Sequence, residues 1–307
     1  MVISANEIND KINCNSNLFI KESEENFAAH IRKTAEKISV RASSRPIILL
    51  SGPSGSGKTT SAMMIEKLLD ESGFETHTLS MDNWFKPLSK QEHILLNNKK
   101  LDLESPDRVD SDFLSEQLTK IINCERVELP KFNFSDHTRE NSGRILERKP
   151  GELVILEGIH ALNPDVVKIP DENTERIYVS VGTDIEDSGG DVLHASEIRL
   201  MRRMLRDLNF RSRPVINTLK MFESVESGEN NYIRPYKNRA TVKINTFIPY
   251  EISVYKTRLL EKLRDISDNE LSAEIVKFLA EILPIDEKCV PKTSLIREFI
   301  GNGQFEY

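Results

Sequence analysis

Short apolar runs alternate with amphipathic stretches along this chain. The runs have the length and the low charge of strands buried on both faces of a sheet, and they occur at 47–50, 76–81, 153–156, 176–181 and 242–248. Apolar residues at helical spacing occur at 24–40, 60–69, the later part of 104–124, 195–210 and most of the chain after 254. Because strands and helices alternate, we predict an α/β fold: a three-layer sandwich with a parallel central sheet.

The two ends of the chain depart from this alternation. Residues 1–17 are rich in Asn, Ser and charged residues, so we expect them to be loosely ordered. We predict an N-terminal extension with one amphipathic helix at 1–44 and a central α/β domain at 45–255. The remainder, 256–307, is predicted to be a C-terminal helical extension packed on the core.

The stretch after the first apolar run matches G-x-x-x-x-G-K-[ST], the phosphate-binding loop or P-loop. It follows a predicted strand and opens a predicted helix, which disfavours a chance match in a flexible glycine-serine loop. The curled backbone and the helix N-terminus would bind phosphate, Lys58 would reach the outer phosphates, and the Thr59 hydroxyl would bind Mg²⁺. The predicted phosphate-binding residues are Gly52, Ser54, Gly55, Ser56, Gly57, Lys58, Thr59 and Thr60.

Two carboxylates follow predicted strands. In open α/β sheets, ligands bind beyond the carboxyl ends of the strands, which is where Asp82 and Glu157 fall. Asp82 could accept a proton from an attacking hydroxyl or bind a metal ion, although a turn or capping role is the alternative. Glu157 could bind Mg²⁺ directly or through water.

Arginines are concentrated in the predicted helix at 195–210. Arg199, Arg202, Arg203 and Arg206 lie at i, i+3, i+4 and i+7, which places them on one helix face. We predict an arginine-rich helical lid, at about 190–215, that would neutralise charge on a transferred phosphoryl group. A solvated face paired with nearby acidic residues is the alternative.

A second candidate ligand surface combines aromatic, histidine and arginine side chains. Phe132 and Phe134 could stack on a planar base, while His137 and Arg139 could contact its polar edge. Alternating phenylalanines are equally typical of the inward face of a strand. The pattern alone leaves both interpretations open.

Composition narrows the class of partner. The 307 residues carry a net charge of −7, which argues against a general binder of nucleic acid or membrane surfaces. The three cysteines are scattered without metal-ligand spacing, and no apolar run reaches the length needed to span a membrane. We therefore expect a cytoplasmic protein that binds neither nucleic acid nor membranes, and homo-oligomerisation is left open.

Together the motifs resemble the uridine/cytidine kinases of the phosphoribulokinase/uridine kinase superfamily of P-loop NTPases. The resemblance covers residues 20–301. The segments that match the family are the phosphate loop, 81–85, 106–110, 132–139, 156–158 and 199–207. Two downstream segments, 225–236 and 291–301, resemble a longer bacterial group of uridine-kinase-like proteins.

The resemblance implies ATP- or GTP-dependent, Mg²⁺-dependent phosphorylation of a nucleoside 5′-hydroxyl. It implies a catalytic group of Asp82, Lys58 and Arg202, with Arg202 and Arg206 on the nucleotide phosphates and Thr59, Glu157 and Asp82 at the metal. For the acceptor it implies contacts from Asp82, Asp107, Phe132, Phe134, His137, Arg139 and Arg199. Two departures bear on specificity: Phe132 stands where these kinases typically have Tyr, and Asn217 where they usually have Gln.

Two other functions stay open. A phosphoribulokinase- or pantothenate-kinase-like enzyme would keep the phosphate machinery and take another small acceptor. A regulatory protein would bind nucleotide without kinase activity. A signalling GTPase is disfavoured, because the segment 98–101 fails the guanine-reading pattern N-K-x-D at its last position.

Overall fold

Five parallel strands form the central sheet of the computed structural model, in the order β10-β7-β2-β6-β3. The strands are β1 (Val2–Ser4), β2 (Ile47–Ser51), β3 (Thr76–Ser80), β4 (Val127–Asn133), β5 (Thr138–Leu146), β6 (Leu153–Glu157), β7 (Thr174–Ser180), β8 (Asp184–Glu186), β9 (Val192–Leu193) and β10 (Val242–Asn245). The helices are α1 (Ala5–Ser39), α2 (Lys58–Glu71), α3 (Lys90–Asn97), α4 (Ser111–Ile122), α5 (Ala195–Phe210), α6 (Val215–Tyr232), α7 (Glu251–Arg264), α8 (Glu270–Glu281) and α9 (Arg297–Ile300).

The structure describes residues 1–97, 101–266 and 268–305. Most of the segment compared with N-K-x-D, residues 98–100, lies outside the described residues. Within that described part of the chain, no helix is both long enough and apolar enough to cross a bilayer.

The parallel sheet and the three layers are confirmed. Strand β2 lies in the middle and pairs in parallel with β6 on one side and β7 on the other. Its side chains alternate between two apolar clusters: Ile48 and Leu50 belong to one, Ile47 and Leu49 to the other. All four are 0–3% exposed, so both faces of the sheet are covered, and this explains the continuous apolar run.

The expectation of loose order at 1–17 is wrong. Strand β1 pairs in parallel with β8, and α1 begins at Ala5 directly after it. A break in α1 falls at Asn15, whose φ of −167° and ψ of 96° are not helical. The Asn15 Oδ1 atom accepts a hydrogen bond from the Leu18 N–H at 3.0 Å, as an N-cap does, and the Ser4 side chain caps the start of α1 in the same way.

Both predicted extensions share a hydrophobic core with the sheet. Phe27 and Ile31 of α1, and Leu279 and Phe299 near the end of the chain, belong to the same cluster as Ile48 of β2. The predicted boundaries near 44 and 255 stay a prediction, since packing is continuous across them.

The sequence pattern did not predict several elements of the structure. Helix α6 follows the arginine-rich helix, β8 and β9 complete a small sheet with β1, and β5 pairs antiparallel with β4. The hairpin of β4 and β5 presents the aromatic segment beside the carboxyl end of β3, where Phe132 N–H donates to Asn83 Oδ1 at 3.3 Å.

Candidate active site

The phosphate loop lies between the carboxyl end of β2 and the start of α2. Gly57 has a φ of 80°, a left-handed conformation that side chains other than glycine rarely adopt. At Gly52 a Cβ atom would lie 2.0 Å from the Val179 carbonyl oxygen, so the backbone of β7 excludes any side chain there. The glycines are therefore required by geometry, and they shape a backbone cradle.

Polar groups line this cradle. Lys58 Nζ donates to the Pro53 carbonyl oxygen at 3.1 Å, across the loop that it belongs to. The Ser56 Oγ atom is buried and, within the described residues, makes no hydrogen bond. A cradle with a lysine, a helix N-terminus and a buried hydroxyl without a partner fits a bound phosphate group.

Asp82 and Glu157 lie near Lys58 at this edge of the sheet. Burial raises the pKa of Asp82, while the charges of Lys58, Arg211 and Arg206 oppose the rise. Burial also raises the pKa of Glu157, to about 7, with Lys58 opposing it.

For Lys58, burial lowers the pKa, and the carboxylates of Glu157, Glu298 and Asp82 counter this effect. The sequence-predicted base, metal partner and phosphate lysine are thus brought together. Thr59 lies at the start of α2 and offers a hydroxyl, and oxygen ligands of this kind, like the carboxylates of Asp82 and Glu157, are those that Mg²⁺ prefers.

The arginine face of α5 lies over the phosphate loop. Arg203 Nη1 and Arg206 Nη2 each donate to Ser54 Oγ at 3.3 Å. Within the described chain, the Nε atoms of both arginines are buried without a hydrogen-bond partner. The side chains of the four arginines on this face are 0–22% exposed, so the solvated-face alternative does not hold.

Arg202 requires a correction. Its guanidinium is fully buried and binds Glu251 through Nε at 2.7 Å and Nη2 at 2.9 Å. It also donates to the carbonyl oxygens of Gly55, at 3.2 Å, and Thr246, at 2.7 Å. Arg202 therefore supports the phosphate loop from behind instead of contacting phosphate as predicted.

The two residues predicted to hold the ribose hydroxyls are in different settings. Arg199 forms a buried ion pair with Glu229 and donates to the Ser54 carbonyl oxygen at 3.1 Å. Asp107 is exposed and lines a surface cavity of about 250 Å³ that also includes Lys86 and Tyr232. Arg199 does not line this cavity and is already engaged by protein groups, so the structure does not bring the two predicted ribose contacts together there.

The aromatic residues form one cluster. Phe132 lies 5.2 Å from Phe134 and 5.6 Å from Phe85, measured between ring centroids, and all are edge-to-face. Phe132 is buried, whereas Phe134 is 59% exposed and free to cover a ligand. The His137 ring lies 6.4 Å from Phe132, and burial lowers the pKa of His137, which favours its neutral form.

Arg139 is held away from the predicted base-contacting role. Its Nη2 atom donates to Asp110 Oδ2 at 2.9 Å, and its guanidinium lies 5.0 Å from the centroid of the Phe113 ring. Both contacts join the hairpin to α4. Arg139 is therefore a structural clamp in this conformation.

Sequence reasoning missed the buried carboxylates that hold the arginines. Glu229 binds Arg199, Glu251 binds Arg202, and Glu298 lies 3.9 Å from Arg206. An acidic residue inside an apolar stretch, such as Glu251 or Glu298, was an available signal, because buried charges are normally paired. Phe85 was missed as a member of the aromatic cluster.

Two proteins of known name are similar to this chain in sequence. A uridine kinase from Lactobacillus johnsonii is 30% identical over 204 residues, covering 65% of this chain and 86% of that protein. A uridine kinase from Schizosaccharomyces pombe is 27% identical over 241 residues, covering 78% of this chain and 45% of that protein.

Among solved structures, a possible uridine kinase from Bacillus stearothermophilus is 16% identical with a TM-score of 0.48, covering 70% of this chain and 97% of that one. A D-glycerate 3-kinase from Cryptococcus neoformans is 13% identical with a TM-score of 0.38, covering 85% and 89%. Likeness at this level says nothing about the acceptor.

The profile of the Phosphoribulokinase / Uridine kinase family matches residues 47–252. Since that match spans more than half of the 307 residues, the chain belongs to the phosphoribulokinase/uridine kinase family.

Proposed function

We propose that this phosphotransferase transfers the terminal phosphoryl group of ATP or GTP to the 5′-hydroxyl of a uridine- or cytidine-like nucleoside. One observation carries the proposal: Lys58 lies close enough to Asp82 and Glu157 to shift the pKa of each carboxyl. Lys58, the predicted phosphate-binding lysine, and Asp82, the candidate base, thus lie near each other at one edge of the sheet. Family membership supports the same reaction class.

Each residue of the site would have a separate role in phosphoryl transfer. Asp82, whose pKa is raised by burial, would accept the proton of the acceptor hydroxyl as it attacks. Lys58 and Arg206 would stabilise negative charge on the phosphoryl group, since both face the loop. Thr59 and Glu157 would hold Mg²⁺, which supplies charge neutralisation when bound.

The acceptor side supports a planar ligand. The edge-to-face cluster of Phe85, Phe132 and Phe134 leaves Phe134 largely exposed, and neutral His137 can donate or accept a hydrogen bond at a base edge. Phe132 brings no hydroxyl, so a uridine-like base would lose one polar contact relative to a site with Tyr.

A second candidate is a kinase of the same family with a different small acceptor. The hydrogen bond from Arg139 to Asp110 favours this second candidate. Arg139 was predicted to contact the polar edge of the base, and this bond holds its side chain away from that role. Phosphorylated sugars or pantothenate-like alcohols would then replace the nucleoside.

The test is acceptor-stimulated ADP release with the purified protein. Nucleosides, sugar phosphates and pantothenate are each added with ATP and Mg²⁺, and with GTP in parallel. Uridine or cytidine is expected to stimulate turnover most, and Lys58→Ala is expected to abolish it. Lys67→Ala is the matched control, since Lys67 lies on the same helix with its side chain 57% exposed.

Two outcomes would contradict the proposal. Strongest stimulation by a sugar phosphate or pantothenate would establish the second candidate. ATP binding without stimulation by any acceptor would support the regulatory alternative and remove the kinase.

We expect Glu157→Gln to stabilise the protein without ligands at pH 8 far more than at pH 5. The Glu157 pKa is about 7 in the folded state against an ordinary 4.5, so unfolding free energy falls as pH rises across this interval. Gln cannot ionise and avoids that loss. The difference between the two pH values is on the order of 2 to 3 kcal/mol.

Thermal or urea unfolding at both pH values measures this difference. Glu71→Gln, on the exposed face of α2, should change stability equally little at each pH. Equal stabilisation by Glu157→Gln at pH 5 and pH 8 would show that Glu157 titrates normally.

A further inference from the structure

The last part of the chain is built into the phosphate site. Leu295, Ile296, Phe299 and Ile300 are 0–2% exposed. A Cβ atom placed on Gly57 would lie 2.7 Å from Leu295 Cδ1, so this segment contacts the phosphate loop itself. Such burial fixes the backbone of residues 295–300 in place.

Glu298 extends from this segment to the start of α2. Its Oε2 atom accepts a hydrogen bond from Thr60 Oγ1 at 2.5 Å and lies 3.4 Å from the Thr60 backbone nitrogen. Its Oε1 atom lies 3.9 Å from Arg206 Nη1, and the residue is 5% exposed. A nearly buried carboxylate thus occupies N–H and hydroxyl donors at the first turn of the helix.

Those donors belong to the part of a phosphate loop that binds nucleotide phosphate. In such loops the first N–H groups of the helix face the phosphates, and the helix dipole favours an anion there. One donor pair cannot serve a carboxylate and a phosphate oxygen together, and like charges at that separation repel.

We propose that Glu298 is an internal competitor for a phosphate of the donor nucleotide at Thr60, and that its charge weakens binding of nucleoside di- and triphosphates. The proposal rests on the proposed function, because it requires a nucleotide at this loop. Since the backbone of the segment is fixed, Glu298 gives up Thr60 by rotation of its side chain. Arg206 is a cation within reach of the released carboxylate.

A structural role makes the opposite prediction. If Glu298 serves to anchor the C-terminal segment to α2, removing its charge weakens folding and leaves nucleotide affinity unchanged or reduced. Nucleotide affinity, measured together with thermal unfolding of the protein without ligands, therefore distinguishes the competitor role from the structural role.

The experiment is calorimetric titration of the full chain with ATP and with ADP. Glu298→Gln keeps a hydrogen-bond acceptor of the same shape without the charge, and we expect it to bind both nucleotides roughly tenfold more tightly. Glu298→Asp keeps the charge but withdraws it from Thr60, so it should also bind more tightly and serves if the Gln variant folds poorly. Glu274→Gln, an exposed glutamate of α8, should bind as the wild type does.

The outcomes distinguish failure of the competitor role of Glu298 from failure of the proposed kinase function. Wild-type binding with no gain in either Glu298 variant overturns the competitor role and leaves the kinase proposal intact. Binding by the variants but not by the wild type supports the competitor role. Failure of all variants and the wild type to bind ATP or ADP overturns nucleotide binding, and the competitor role with it.

Discussion

Asp82→Asn is expected to retain ATP binding and to lose acceptor phosphorylation by about 10²- to 10⁴-fold, the usual contribution of a positioned general base. Asn has nearly the same shape, so β3 and the turn after it should be undisturbed. It cannot accept the acceptor proton. The measurement is kcat of acceptor-stimulated ADP release, together with the dissociation constant of ATP.

The charges around Asp82 explain why Asp82→Asn should keep ATP binding although it loses phosphoryl transfer. Lys58, Arg206 and Arg211 all lie near enough to oppose the rise in its pKa. Removing a negative charge from this group leaves the local field more positive, which favours a polyanionic nucleotide. ATP affinity should therefore stay equal or increase while turnover falls.

A matched aspartate provides the control. Asp112 has a side chain 89% exposed on α4 and pairs with Lys168, so Asp112→Asn should leave both binding and turnover unchanged. Unchanged turnover in Asp82→Asn would remove this carboxylate from the mechanism. Loss of ATP binding together with turnover would instead indicate a role in holding the donor or its metal.

The parts of the site that were predictable depend on local sequence signals. The phosphate loop combines glycines, Lys58 and a preceding apolar strand within a few positions, and Asp82 and Glu157 follow strands whose carboxyl ends must share an edge in a parallel sheet. Connectivity alone therefore brings these residues together.

The unpredicted parts depend on partners far away in the chain. Glu251 lies 49 positions from Arg202, and Glu298 lies 238 positions from Thr60. Helical spacing placed the arginines on one face but could not say which of them would meet a buried carboxylate. The polar N-terminus was likewise misjudged, because β1 pairs with β8 across the length of the chain.

The Arg202–Glu251 pair leads to the second large prediction: Glu251→Ala should destabilise the fold by about 3 to 5 kcal/mol. Both side chains are fully buried, and the Glu251 carboxylate also accepts hydrogen bonds from the Tyr255 hydroxyl, at 2.8 Å, and the Ile248 N–H, at 3.0 Å. Without Glu251 the guanidinium remains buried and has lost its counter-charge. Unfolding in urea at neutral pH measures the loss.

Glu261 on the same helix provides the control. It pairs with Arg264 at 2.6 Å, but its side chain is 79% exposed, so Glu261→Ala should cost less than about 1 kcal/mol. Equal losses in the two variants would show that burial adds nothing to the importance of the Arg202–Glu251 pair.

Replacing both members of the pair separates stability from function. Arg202→Met combined with Glu251→Leu removes both buried charges, and such replacements often restore stability or exceed it. The double variant should therefore unfold at a higher urea concentration than Glu251→Ala. Its phosphoryl transfer should still be impaired, because the Gly55 carbonyl and Thr246 lose the donor that fixes the phosphate loop. Full activity in the double variant would mean that the loop holds its shape without Arg202.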